Sequence, residues 1–133
     1  MSLSSPTHRL IAIAMLTALG APAAASAQSA DTTAPRTTLK APKAVTVGQL
    51  KKGFAVRIGC DEACNGRVTL TGRIGIISTA SADVAAGGTS RIKLKAAAFQ
   101  VKELRRGAKL AVTLNATDAA GNHSTRQVKV RLR

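Results

Sequence analysis

The sequence predicts an all-β domain, an antiparallel sandwich of two sheets with about seven strands, and three observations predict it. Five segments alternate aliphatic with polar residues at a period of two. Clusters of Gly, Asn and Asp punctuate the gaps between them. The chain has 133 residues, and once an apolar leader is set aside there is room for one small domain.

The leader comes first in the chain. Ser2 to Arg9 is polar and ends in His8-Arg9, and an apolar run from Leu10 to Leu19 follows, broken by Gly20 and Pro22. Ala25-Ser26-Ala27 places small residues where a signal peptidase reads, so residues 1–27 are expected to be a signal peptide cleaved before Gln28. The apolar run is too short to span a bilayer, and no transmembrane segment is expected after cleavage. Residues 28–42 are rich in Ser, Thr, Ala and Pro and read as an extended linker, since Pro35 disfavours the helical region for the residue before it. The linker feeds a first strand at Thr37 to Lys40. The domain proper is expected over 43–133, as a single copy without tandem repeats.

Within the domain, Phe54, Val56, Ile58 and Cys60 alternate with Ala55, Arg57 and Gly59, the pattern of a strand with one buried face. Val68 and Leu70 repeat it, as do Ile92 and Leu94, then Leu110, Val112 and Leu114, and finally Val128, Val130 and Leu132. Two weaker segments, at Val45 and Val47 and over Ile74 to Ser78, bring the strand count to about seven. The expected gaps fall at Lys51 to Gly53, Asp61 to Gly66, Gly87-Gly88 and Asp118 to Asn122. Ala96 to Arg106 resists the strand pattern. Its good helix formers, with Gly107 placed to end them, predict a short helical turn between late strands, with Phe99, Val101 or Leu104 plugging the sandwich end.

Charge narrows the partners. Lys and Arg number 20 against 6 Asp and Glu, a formal net charge of +14, which needs anionic company. Cations recur at alternate strand positions, Arg91, Lys93 and Lys95, then Lys129, Arg131 and Arg133, and form a candidate anion-binding face. A solvated outer face is the plainer reading, but such faces usually mix signs. The chain has no Trp or Tyr and only Phe54 and Phe99, so aromatic platforms for sugars or single-stranded nucleic acid are largely missing. The expected partner is an anionic cell-envelope polymer or another surface protein. No small-molecule substrate and no sequence-specific nucleic acid is expected.

Cys60 and Cys64 are the only cysteines, and an even, close pair in an exported chain reads as a structural disulfide closing a very small loop. A redox pair is the weaker reading, because such sites usually have two intervening residues and Asp61 and Glu62 would raise a thiol pKa. A zinc site would need two more ligands, and His123 is the one histidine beyond the leader. No nucleophile elbow, phosphate-cradling loop or paired acids of catalytic spacing occur, so no enzyme, catalytic residue or cofactor is expected. Asp118 reads as a turn-former, with Gly121 and Asn122 able to take positive φ. One carboxylate beside Asn122 is a poor cage for calcium, and no metal is expected.

Ala108 to Asn122 (AKLAVTLNATDAAGN) resembles the penultimate strand and hairpin of bacterial immunoglobulin-like domains of exported surface proteins, through Thr117-Asp118-Ala-Ala-Gly121-Asn122. Asp31-x-x-Ala-Pro35 resembles the start of such modules. The resemblance implies an immunoglobulin-like β-sandwich without catalytic residues, acting in adhesion or surface structure. The expectation is therefore a secreted or envelope-associated module held by its basic face. The alternative is a released cationic effector that binds anionic polysaccharide, membrane or nucleic acid without sequence preference.

Overall fold

Alternating aliphatic residues become strands in the computed structural model, which describes residues 31–133; the expected signal peptide lies outside the described residues. Eight strands form: β1 (Thr37–Lys40), β2 (Ala44–Val45), β3 (Phe54–Cys60), β4 (Cys64–Gly72), β5 (Gly75–Val84), β6 (Thr89–Leu94), β7 (Lys109–Asp118) and β8 (His123–Leu132). Two short helices interrupt them, α1 (Val47–Lys52) before β3 and α2 (Ala98–Lys102) before β7. One sheet has the order β1-β3-β6 and the other β2-β8-β7-β4-β5. In immunoglobulin lettering these are A-B-E and A′-G-F-C-C′, so the fold is an immunoglobulin-like sandwich. Its neighbours pair antiparallel except β2, which runs parallel to β8 at Ala44↔Arg131 and Val45↔Leu132.

Among the described residues the strand count is eight rather than about seven, and the helices are two rather than one. The segment expected at Val45 and Val47 divides: Val45 ends a two-residue strand, and Val47 begins α1. A capping box starts this helix, with the Thr46 hydroxyl accepting from the Gln49 amide at 3.1 Å and the Gln49 side chain accepting from the Thr46 amide at 2.8 Å. Gly53, at φ 101°, ends it. Strand β5 extends well beyond Ser78. Ala80 and Ala82 pack only partly against the core, so its later half carries little apolar contrast, and pairing with β4 from Gly72↔Gly75 to Cys64↔Val84 holds it instead.

The two inner faces share one core. Val56, Ile58, Ile92 and Leu94 from the smaller sheet meet Val68, Leu70, Val112 and Leu114 from the larger, all buried. Asn65 and Gly66 belong to β4, not to the expected gap, and Gly66 faces inward. A Cβ there would sit 2.6 Å from Ile58 Cδ1 and 3.2 Å from Leu114 Cδ1, so hydrogen is what lets the sheets close at this point. At one end α2 presents Val101 to the core, with Leu104 packed beside it, while Phe99 stands 72% exposed. Among the described residues no helix is long and apolar enough to cross a membrane.

Candidate functional site

At one end of the sandwich the β3–β4 loop, the β7–β8 turn and the segment leading into β1 converge. The turn is organised by Asp118, whose Oδ1 accepts from the amides of Ala120 at 2.9 Å and Asn122 at 2.8 Å, and whose Oδ2 accepts from Asn122 Nδ2 at 3.0 Å. Gly121 supplies the positive φ of 91°. Asn122 Nδ2 also donates to the backbone oxygen of Asp31 at 3.0 Å, and the Arg36 amide donates to Asp61 Oδ1 at 2.8 Å. The two motifs at opposite ends of the domain sequence therefore meet in space.

Asp118 is not the isolated carboxylate the sequence suggests. One carboxylate oxygen each from Asp31, Glu62 and Asp118 lies within 4.8 Å of the others. Glu62 is half-buried there, and burial followed by the charges of Asp31, Asp118 and Asp61 raises its pKa above the ordinary 4.5. Burial pushes Asp118 up as well, but the hydrogen bonds from Asn122, Ala120 and Gly121 outweigh it and leave its pKa below the ordinary 3.8. Asp83 lies beside this end on β5, accepting from Asn65 Nδ2 at 2.8 Å, so five of the six acids gather here and only Glu103 stands apart.

Cys60 and Cys64 are joined in a disulfide, with Cα atoms 6.4 Å apart. Cys60 closes β3 in the smaller sheet and Cys64 opens β4 in the larger, so the bridge sits where the chain crosses between sheets. It holds Asp61 and Glu62 at the acidic end. His123 is exposed, its Nδ1 3.0 Å from the Thr117 hydroxyl.

The six cations singled out in the sequence do not share a face. Lys129, Arg131 and Arg133 lie on or just past β8 in the larger sheet, whereas Arg91 and Lys93 lie on β6 in the smaller, with Lys95 just beyond its end. Both groups alternate with buried residues and point outward, which places them on opposite sides of the molecule. Each group gains partners that only strand register could reveal. Arg131 stands opposite Lys109 on β7, and with Lys43, Lys129 and Arg133 these line a cleft of about 530 Å³ floored by Ala44 and Val130. No acid lines it.

On the other side, Lys40, Arg57 and Arg91 form one cross-strand row over β1, β3 and β6. Two adjoining concavities, of about 430 and 250 Å³, flank this row and share Ala55 and Arg91 in their walls. Neither β1, β3 nor β6 carries an acid. Like charges directly opposite on neighbouring strands repel, so both arrangements cost stability in the free protein.

No protein-family model matches the chain, and no curated protein matches it.

Proposed function

We propose that this chain is an exported, non-catalytic immunoglobulin-like module that acts at the cell envelope in adhesion or surface structure, attached by charge to anionic polymers. The observation that carries the reading is the acid-free cleft of Lys43, Lys109, Lys129, Arg131 and Arg133, in which Arg131 and Lys109 face each other across paired strands. Crowded cations without counter-charges are a cost that an oxyanion-bearing polymer relieves, and Arg forks suit phosphate and carboxylate alike. Attachment of this kind is electrostatic and weakens steeply with salt.

Washing intact producer cells with about 1 M salt, where the Debye length is about 3 Å, is expected to release the protein into the wash. Protein found almost wholly in the medium at low salt would instead mark a released cationic effector. A pull-down of the mature protein against envelope fractions would identify the polymer.

A further inference from the structure

Two cation-rich surfaces on opposite sides of one small domain have a consequence that a single basic face lacks. The Lys40–Arg57–Arg91 row lies on the outer side of β1-β3-β6, and the cleft around Arg131 lies on the outer side of β2-β8-β7-β4-β5. Between them stands the shared core, whose sheets pack about 10 Å apart. Both surfaces are troughs over small residues, Ala55 on one side and Ala44 on the other. A trough takes a chain better than a plane. Among the described residues the large apolar side chains that stand exposed, Ile74, Ile76 and Phe99, line neither surface, so neither offers a bilayer an apolar foothold.

From this we infer that the domain is a cross-linker, each molecule holding two separate strands of a linear polymer with repeated phosphate or carboxylate groups, one on each sheet. The inference rests on the proposed attachment to anionic polymer and adds its valency. Bivalence turns weak contacts into strong ones, because the second strand is held at a high effective concentration once the first is bound. It would make the protein a mortar of the surface layer rather than a passenger on it.

A sandwich capture with residues 28–133 tests this. Beads carrying long-chain inorganic polyphosphate are loaded with protein at low salt, washed, and offered fluorescent polyphosphate; a parallel arm uses polygalacturonate in both roles to separate phosphate from carboxylate. The wild type is expected to hold to the beads and to capture the second polymer in at least one arm. Two triple variants, K40Q/R57Q/R91Q and K109Q/K129Q/R131Q, are each expected to stay on the beads and lose capture. For each, the slope of log affinity against log salt is expected to shrink by about 2, the value for three lost charge contacts to a flexible chain. Thermal melts guard the result: removing facing like charges at exposed positions should leave both variants at least as stable as the wild type.

Wild-type protein that binds beads without capturing a second strand would overturn cross-linking while leaving attachment intact. Capture that survives in either variant would trace bridging to self-association and would also overturn it, as would clustering of phosphatidylglycerol vesicles without polymer capture. Failure to bind either polymer at low salt would remove the attachment and the cross-linking together.

Discussion

Asp118 and Glu62 sit in the same cluster and respond to pH in opposite senses. Glu62 has its pKa raised in the fold, so its ionisation works against folding, and the penalty grows as pH rises from the ordinary 4.5 through the folded value. Glu62→Gln is therefore expected to melt at a higher temperature than the wild type at pH 7, with the difference fading below about pH 4. Asp118 has its pKa lowered, so its contribution is present above the ordinary 3.8 and lost as pH falls through the folded value. Asp118→Ala is expected to melt lower at pH 7 and to converge on the wild type in acid, and melting curves across pH read both. The role of Asp118 in its turn was legible in Thr117-Asp118-Ala-Ala-Gly121-Asn122, because a hairpin turn is local. Its meeting with Asp31 and Glu62 was not, because those residues come from loops far apart in sequence whose approach depends on the packed sandwich.

Among the elements, β4 shows how a glycine can be read two ways. Asn65-Gly66 looks like loop punctuation, yet Gly66 is an inward strand position with no room for a methyl group. Gly66→Ala is expected to cost about 1–3 kcal/mol through overpacking against Ile58 and Leu114, measurable by urea titration. The disulfide that opens β4 joins residues only four apart. Loop entropy for so short a closure comes to about 2 kcal/mol, so the double change Cys60→Ala, Cys64→Ala is expected to lower stability by about that amount and leave the domain folded. The five strongly alternating segments were legible because a half-buried strand writes its two faces into alternate residues. The capping box Thr46-x-x-Gln49 was present for α1, but six residues are too few for a helical period to show. In α2 composition identified the turn, and only the packed end decided that Val101 enters the core while Phe99 remains outside.

For the whole molecule, the basic character was plain from composition, but its geometry was not. Alternation places Arg91, Lys93, Lys129 and Arg131 outward without saying which sheet each strand joins, and topology sends them to opposite sides. Lys40, Arg57, Lys43 and Lys109 are drawn in only by register, which a one-residue slip would reverse. The acids have an uneven distribution of their own, five of them at the disulfide end of a body whose longest strands run ten residues, about 33 Å. A charged body built this way feels a torque near a polyanion as well as a pull. It turns so that the Cys60–Cys64 end trails and the opposite end, with Lys109 and Arg131, arrives first. Below the carboxylate range the acids no longer oppose that approach, and the torque weakens.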